Sequence, residues 1–326
     1  MNKINKIIIT GGVGKGILFR CHSSETIGRN ESRMAELTDS KDFCKMHITA
    51  HYLSRLLSPD IPVYAIGMVG DDPNGRDLID QMISVGIKVD WVRLSPSKPT
   101  MLSVCFQYPD KSGGNLTANN SACEDVTPEY IVCALEDIGV DENTMIVALP
   151  EVPLESRMAM LRYGSLHDAF CVCSNNSFEM PAFADTNIAG SCNLFAMNEE
   201  ELMAYAGMYL QNNEKDTSLA IKTLLSRYPH LILWITFGAG GSMLVSENYH
   251  IDYPSLPDVK VVNTGGAGDA SLAGLITGMI IYPFDDSVHE AGRLGMILGG
   301  MSVESPDSIN DNICWDSLKQ RLHKIH

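Results

Sequence analysis

The sequence predicts an α/β protein built on a doubly wound, mainly parallel sheet with helices on both faces. Short runs rich in β-branched and apolar residues, such as KIIIT and LILWIT, alternate along the chain with segments of helical periodicity, such as ITAHYLSRLL and AIKTLLSRYP. Strands separated by helices of about ten to fifteen residues indicate parallel crossover connections. No internal repeat or low-complexity tract interrupts this order.

Length and composition fit one domain over residues 1–326. The chain has 326 residues, of which 45% are hydrophobic, so it can bury a sizeable core. Two segments, about 17–43 and 91–123, break the alternation, and the second alternates like strands around a Gly-Gly turn. We interpret both segments as parts of a small β-rich lid on the main sheet. The alternative is a pair of surface excursions without function.

The first predicted strand runs into a glycine-rich turn, IIITGGVGKG, over residues 7–16. It does not match a phosphate-binding P-loop, because Ile9 stands where the first glycine is required and Gly16 stands where Ser or Thr is required. It does not match a dinucleotide loop either, which requires a glycine at Ile17 or Phe19. The segment therefore reads as a buried strand and a turn.

The remaining elements follow in chain order. After the first strand, KIIIT, we predict the helix ITAHYLSRLL, the strand VYAIGMVG, the helix GRDLIDQMISVG, the strands MIVALP and FCVCS, the helices EELMAYAGMYL and AIKTLLSRYP, the strands LILWITFG and KVVNTGG, and the helix ASLAGLITGMII.

Net charge and cysteine content limit the kinds of binding partner and metal site that we expect. Forty acidic against 24 basic residues give a formal net charge of −16, which repels a nucleic-acid backbone. The nine cysteines fit reduced thiols, and Cys171 and Cys173 lie in an apolar run that reads as a strand rather than as a metal site. No apolar run approaches the roughly 20 residues that span a bilayer. We therefore expect a cytoplasmic protein without nucleic-acid or membrane partners.

The segment VKVVNTGGAGDASLAGLITGM, residues 259–279, carries the strongest chemical signal. A glycine turn opens a helix there, so the backbone amides of Gly266, Ala267 and Gly268 would point at an anion at the helix N-terminus. Asp269 beside them could accept a proton from a hydroxyl while the amides hold a transferred phosphoryl group. Alternatively, Asp269 caps the helix and the glycines allow close packing.

NTGGAGDAS resembles the D-T-x-G-A-G-D signature of the ribokinase-like, or PfkB-type, carbohydrate kinases. Three further blocks follow that family's order. Residues 65–90 are similar to its G-x-V-G-x-D-x-x-G strand and turn with the helix that follows. MNEEEL supplies its N-x-x-E element as Asn198 and Glu201, and ITFGAGGS supplies its T-x-G-x-x-G element as Thr236, Gly238 and Gly241.

The resemblance implies a ribokinase-like fold and an ATP-dependent transfer of phosphate to a hydroxyl of a sugar or sugar-like molecule. It places the nucleotide over residues 236–269, with Asn176 as the surviving member of a D-x-N-x-R element that reads SNNSF here. Asn198 and Glu201 would orient Mg²⁺, chiefly through its waters, although the same pair could form a helix capping box. The first strand, with Gly11 and Gly12, would lead toward the phosphate acceptor.

Departures from the family pattern fall on the acceptor side. The aspartate of its G-x-x-x-x-D element is absent from TGGVGKG, and its G-G-x-x-x-N-x-A element reads DFCKMHITA, with Ile48 at about the asparagine position. Asn263 replaces the aspartate that opens the signature, which makes a monovalent-cation site doubtful.

We therefore predict a carbohydrate kinase with Asp269 as general base. The alternatives are a kinase for a nucleoside or vitamer, and a non-catalytic nucleotide or metabolite sensor on the same scaffold. Members of this family frequently pair through their lids, so the resemblance also implies a homodimer formed through the lid, and the apolar alternation of MLSVCFQY offers a face suited to that contact.

Overall fold

The computed structural model describes residues 3–110, 112–207, 214–282 and 284–324. The strands within these residues are β1 (Lys6–Thr10), β2 (Gly14–Cys21), β3 (Ala35–Leu37), β4 (Asp42–Phe43), β5 (Val63–Gly70), β6 (Lys88–Ser95), β7 (Met101–Gln107), β8 (Gly113–Thr117), β9 (Thr144–Ala148), β10 (Phe170–Ser174), β11 (Leu194–Asn198), β12 (Ile232–Thr236), β13 (Ser242–Val245) and β14 (His250–Tyr253). The α-helices are α1 (Lys45–Leu57), α2 (Pro73–Ser84), α3 (Pro128–Ile138), α4 (Leu154–Leu166), α5 (Met180–Asp185), α6 (Glu199–Tyr205), α7 (Glu214–Arg227), α8 (Ala267–Ile281), α9 (Phe284–Ser302) and α10 (Trp315–Lys324).

The larger sheet has the strand order β14-β13-β12-β11-β10-β9-β1-β5-β6. Its strands from β12 to β6 pair in parallel, and β13 and β14 complete one edge as antiparallel strands. Parallel strands buried on both faces read as continuous apolar runs, which is the pattern of KIIIT and TMIVA. The predicted doubly wound, mainly parallel sheet is confirmed.

Helices cover both faces of this sheet. In β1, Ile7 and Ile9 pack into one hydrophobic cluster together with residues of α1, α2, α8, α9 and α10. Ile8 points the other way, into a second cluster with residues of α3, α4, α5, α6 and α7. This alternation follows from the two-residue period of a strand. Helix α8 is largely buried, and its buried residues run without a break from Ala270 to Met279.

A smaller sheet of order β3-β2-β7-β8, with β4 paired to β2, stands beside the larger one. Strands β2 and β7 run parallel, and the other pairs are antiparallel. The sequence interpretation began the second lid segment at about residue 91. Residues 91–95 instead finish β6 in the larger sheet, because they pair in parallel with residues 66–70 of β5.

The sequence analysis misplaced one strand. KVVNTGG, over residues 260–266, is not a strand but a loop. Its backbone binds the end of α9 rather than a neighbouring strand, because the amides of Val262 and Asn263 both donate to the carbonyl of Val303. The predicted helix EELMAYAGMYL is helical from Glu199 to Tyr205, and its last three residues lie outside the described part of the chain. No helix in the described ranges is long and apolar enough to cross a membrane.

A carboxylate ties the smaller sheet to the larger one. Asp72 caps α2 by accepting from the Gly75 amide at 2.9 Å. The same carboxylate accepts from the amide of Thr100 at 2.8 Å and from its hydroxyl at 2.7 Å, immediately before β7 begins. The Thr100 hydroxyl in turn accepts from the Gly70 amide at 3.0 Å. Although partial burial opposes it, these hydrogen bonds lower the pKa of Asp72.

Candidate active site

A cleft of about 1250 Å³ opens between the carboxyl ends of the parallel strands and the inner face of the smaller sheet. The carboxyl edge of an open α/β sheet is the usual place for a ligand. Charged side chains from β4 of the smaller sheet, from the loop after β9 and from the starts of three helices reach this cleft, and they are Asp42, Glu151, Lys45, Glu201 and Asp269.

The start of α8 forms one wall of the cleft. Gly266, at the N-cap, has a φ of +78°, and a Cβ built on it would lie 2.8 Å from both Ile48 Cδ1 and the Ser308 carbonyl. Only glycine meets both constraints without strain. The Ala267 amide donates to the Thr264 carbonyl at 3.3 Å. Within the described residues the Gly266 and Gly268 amides have no acceptor in the protein, so they remain available to an anion.

Asp269 lies half-buried in the first turn of α8. Burial raises the pKa of its carboxyl to about 6, and the positive charge of Lys45 works against this rise. The negative charges of Glu201 and Asp42 raise it further. A carboxyl with a pKa near the working pH can accept a proton from an alcohol and release it afterwards.

Lys45 is a central cation of the site that the sequence analysis did not identify. It is the first residue of α1, and its Nζ lies 3.4 Å from Glu201 Oε1 and 3.5 Å from the Asn175 carbonyl oxygen. Although burial disfavours its charge, the carboxylates of Glu201, Asp269 and Glu151 raise the pKa of Lys45. The ammonium is therefore held protonated among these carboxylates.

Glu151 is a second carboxylate that the sequence analysis missed. It follows β9, has a φ of +75° and lines the cleft. Burial raises the pKa of its carboxyl to about 7, against the charge of Lys45 and with that of Asp269. Its Oε2 is buried without a hydrogen-bond partner in the described structure. A strained, unsatisfied carboxyl in a cleft is typical of a ligand-binding position.

Asn198 and Glu201 form the capping box of α6. The Asn198 side chain accepts from the Glu201 amide at 2.7 Å, and Glu201 Oε2 accepts from the Asn198 amide at 2.8 Å. Only Oε1 of Glu201 then faces the cleft, where it meets Lys45. Among the described residues no group of three or more His, Cys, Asp or Glu side chains could hold a metal ion. Mg²⁺ fits such a site only if waters and phosphate oxygens supply most of its ligands, which is its usual mode.

The other predicted nucleotide residues lie along the same edge. Thr236 ends β12 directly beside Asn198 of β11, because the two strands pair in parallel register. Gly238 lies in the 3₁₀ turn Gly238–Gly240 that follows. Gly241 packs against the backbone carbonyl of Tyr253, so its role in the structure is close approach of the chain. These positions adjoin the cleft without lining it.

Asn176 lines the cleft in the loop after β10. This loop is held from beneath by Arg157, which is 2% exposed and binds the side chains of Asn175 and Glu179. Glu179 Oε1 accepts from Arg157 at 2.7 Å. The next aromatic residue, Phe178, is 80% exposed at the rim of the cleft.

Gly11 and Gly12 lie outside the lining of the cleft. Both are buried, and the Gly12 amide donates to the Pro150 carbonyl at 2.9 Å. A Cβ on Gly12 would lie 2.6 Å from Met101 Cε and 2.8 Å from Glu151 Oε2. Among the glycines of IIITGGVGKG, Gly16 in β2 lines the cleft.

Asn263 joins two loops behind the start of α8. Its Nδ2 donates to the Pro306 carbonyl at 2.9 Å, and its Oδ1 accepts from the Gly265 amide at 2.9 Å. An aspartate at this position could accept from Gly265 but could not donate to Pro306. The amide therefore makes a link that a carboxylate could not make.

Comparison with known proteins agrees with this geometry. A model described as the pfkB family carbohydrate kinase matches residues 49–314. The chain belongs to the pfkB carbohydrate kinase family. The four motif blocks of this pfkB family member lie inside the matched region, whereas Asp42 and Lys45 precede it.

Related proteins carry the name ribokinase. The ribokinase of Bacillus subtilis is 27% identical over 212 residues, which are 64% of this chain and 64% of that protein. The structure of ribokinase from Giardia lamblia superposes with a TM-score of 0.83 at 16% identity, covering 97% of this chain and 99% of that one. The ribokinase of Arabidopsis thaliana complexed with ribose and ATP gives 0.75 at 18% identity, covering 98% and 99%. These structures establish the ribokinase fold for this pfkB family member.

Proposed function

We propose that this chain transfers the γ-phosphoryl group of ATP to a hydroxyl of a sugar or sugar-like small molecule, with Asp269 as general base. One observation carries the proposal. A carboxyl with a pKa raised to about 6 lies in the same helical turn as two free backbone amides, at the wall of a large cleft. A base and an anion-binding site side by side are what phosphoryl transfer to an alcohol requires.

In the proposed reaction the acceptor hydroxyl lies against Asp269. The carboxylate accepts the proton while the hydroxyl oxygen attacks the γ-phosphorus and the bond to the β-phosphate oxygen breaks, releasing ADP. The amides of Gly266, Ala267 and Gly268 would stabilise the charge on the transferred group. The Ala267 amide must then exchange its long bond to Thr264 for one to the phosphoryl oxygen.

Lys45 supports this assignment. Its ammonium would neutralise phosphate oxygens between nucleotide and acceptor, and it keeps Asp269 ionised over a wider pH range. Asn198 and Glu201 would hold Mg²⁺ largely through water, and the ion would supply charge neutralisation for the phosphates. Asn176, Thr236, Gly238 and Gly241 would border the nucleotide at the same sheet edge.

A monovalent cation is not part of the proposal. The amide of Asn263 already links the two loops behind α8 through Gly265 and Pro306. We propose that this direct link removes the need for a bound cation that would otherwise hold the loops together.

The acceptor class is supported by the relatives. Several are named ribokinase, and one was solved with ribose and ATP. A kinase for a nucleoside or vitamer, and a sensor that binds nucleotide without transfer, remain the alternatives. The complete base and amide site at α8 favours catalysis over sensing.

We also propose a homodimer formed through the smaller sheet. Val104 of β7 pairs with Ile17 of β2 and with Leu116 of β8, so these apolar side chains share one face with Leu102, opposite to Ser103 and Cys105, which line the cleft. The most exposed members of this face are Leu37, Leu102, Val104 and Leu116. An exposed apolar sheet face of this kind fits pairing with a second copy. Light scattering at micromolar concentration should give twice the monomer mass, and a monomer mass would contradict the dimer.

Transfer of labelled phosphate from Mg-ATP to a panel of sugars, nucleosides and vitamers tests the activity. We expect acceptor-dependent formation of ADP and of a phosphate ester, with sugars among the substrates. ATP binding without transfer to any acceptor would support the sensor instead.

A further inference from the structure

The smaller sheet carries a carboxylate directly over a glycine. Asp42 of β4 pairs with Gly16 of β2 in antiparallel register. A Cβ built on Gly16 would overlap Asp42 Oδ2 and lie 2.7 Å from Asp42 Cγ. The Asp42 carboxylate therefore fills the space that a side chain at position 16 would occupy, and any larger residue at 16 would displace it. Both residues line the cleft.

The surroundings leave this carboxylate open to a ligand. The Cys105 thiol donates to Oδ2 at 3.0 Å, and within the described part of the chain it is the only side chain bonded to Asp42. Ser103, which pairs with Gly16 in the β2–β7 register, shares a 2.6 Å hydrogen bond with Thr117 on the same face. A half-buried carboxylate with an open oxygen, next to neighbouring hydroxyls, is suited to accept hydrogen bonds from alcohol groups.

The charges around the acceptor end are unfavourable to an anion. Lys45 and Lys98 are the cations among the described residues that line the cleft. Lys45 is paired with Glu201, and Lys98 lies 3.0 Å from Glu124 and 2.9 Å from Asp125.

The guanidinium of Arg157 is already paired as well. Arg157 is buried beneath the loop after β10 and bonded to Asn175 and Glu179. In contrast, Asp42 and Glu151 both face the cleft. A carboxylate or phosphate on the acceptor would meet these two anions, and both lysines that line the cleft among the described residues are already paired with carboxylates.

We infer that Asp42, which fills the space over Gly16, binds hydroxyls of the phosphate acceptor, and that the acceptor is an uncharged polyhydroxy compound. The inference rests on the proposed function, because it names the ligand as the phosphate acceptor. Binding of that ligand by Asp42 does not require phosphoryl transfer. Glu151, across the same space, would accept from a second hydroxyl when ionised.

Binding measured by calorimetry without nucleotide tests the inference directly. The uncharged probes are D-ribose, D-fructose and inosine, and the anionic probes are D-ribose 5-phosphate and D-gluconate. We expect at least one uncharged probe to bind and the anionic ones to bind at least about ten-fold more weakly. Tighter binding of an anionic probe, or binding of none of the uncharged ones, would overturn the acceptor class.

Substitution then tests the residue. Asp42→Asn keeps the shape and removes the charge, and we expect it to weaken binding of the best uncharged probe about ten-fold, the size of one charge-assisted hydrogen bond. Asp39→Asn, an exposed position of the same segment outside the cleft, is the matched control and should bind as the unaltered protein does. Equal affinity of Asp42→Asn and the control would overturn the role of Asp42.

A double variant guards against a merely structural effect. Gly16→Asp combined with Asp42→Gly moves the carboxylate across the strand pair into the same space. It should recover affinity to within about three-fold of the unaltered protein. A double variant that has the unaltered melting temperature but binds no better than Asp42→Gly alone would contradict the inference.

Failure of the proposed kinase activity can be distinguished from failure of the Asp42 assignment. If the protein binds an uncharged probe through Asp42 but never phosphorylates it from Mg-ATP, the kinase proposal is wrong and the assignment of Asp42 stands.

Discussion

Lys45 and Glu201 are 156 positions apart in the chain, yet their side chains meet at 3.4 Å between the N-termini of α1 and α6. This pair places the Lys45 ammonium among three carboxylates, because its charge also acts to lower the pKa of Asp269 and of Glu151. The four groups form the charged centre of the cleft. Their balance of charge is the basis of the predictions that follow.

Replacement of the cation should impair turnover and shift its pH dependence. Lys45→Met removes the charge that lowers the pKa of Asp269, so that pKa should rise above about 6. We expect kcat/KM to fall by about a hundred-fold or more, and its acidic limb to move up by about one pH unit. Lys41→Met, at an exposed lysine four residues earlier, should leave both unchanged. An unshifted acidic limb in Lys45→Met would contradict the coupling.

Glu151 should destabilise the fold when it ionises. Its pKa is raised from 4.5 to about 7, so the folded state binds more protons than the unfolded state between these values. Stability attributable to this group is therefore lost as pH rises from about 4.5 to about 7. Glu151→Gln should be more stable than the unaltered protein at pH 8 by about 1–3 kcal/mol, and this advantage should vanish near pH 4. Denaturant unfolding at the two pH values measures it, and an advantage that does not depend on pH would contradict the assignment.

Asn263 should make the site independent of monovalent cations. Activity of the unaltered protein should be equal in potassium and in tetramethylammonium salts. Asn263→Asp loses the donor to Pro306 and sets a carboxylate against its carbonyl, so it should lower stability by about 1–3 kcal/mol. Potassium should restore part of this loss by screening that contact. The exposed Asn248→Asp serves as control, and strong potassium activation of the unaltered protein would contradict this account.

The link between the two sheets should depend on one aspartate and not on its neighbour. Asp72→Ala removes three hydrogen bonds, to Gly75 and to Thr100, and should cost about 1–3 kcal/mol of unfolding free energy. Asp71→Ala removes only an exposed pair with Arg76 and should stay within about 0.5 kcal/mol. Thermal unfolding of both variants at pH 7 compares them. Equal losses would show that Asp72 does not anchor the smaller sheet.

Much of the fold was predictable because local patterns and tertiary structure agree. The buried strands read as apolar runs, and the alternation of strands and helices fixed parallel crossovers. The prediction of a strand at KVVNTGG was wrong because its two valines are typical of a strand. Hydrogen bonds from the amides of Val262 and Asn263 to the carbonyl of Val303, which is distant in the chain, hold the segment as a loop. Such long-range partners leave no periodic signal in the sequence.

The site was predictable where its residues are close in the chain. Gly266 and Asp269 lie within one turn, and Asn198 and Glu201 lie within another, so their spacing carries information. Lys45, Glu151 and Asp42 meet the site only through the fold. The lysine within the segment DFCKMHITA, Lys45, was the one available signal.

The position of Asp42 was not predictable from the sequence for the same reason. The sequence shows that the aspartate of the family's G-x-x-x-x-D element is absent from TGGVGKG, but only the pairing of β2 with β4 shows that the Asp42 carboxylate lies over Gly16. A one-dimensional motif records residue order, whereas the chemistry depends on where the oxygen atoms lie.

The most direct test of the central claim is phosphoryl transfer by Asp269→Asn compared with the unaltered protein, from pH 5 to pH 9, with ATP binding measured in parallel. The account predicts that the unaltered protein loses activity about ten-fold per pH unit below about 6, where Asp269 becomes protonated. The variant should bind ATP normally and transfer at least about a hundred-fold more slowly at every pH. A variant that transfers phosphate at the unaltered rate with the same pH profile would show that Asp269 is not the base.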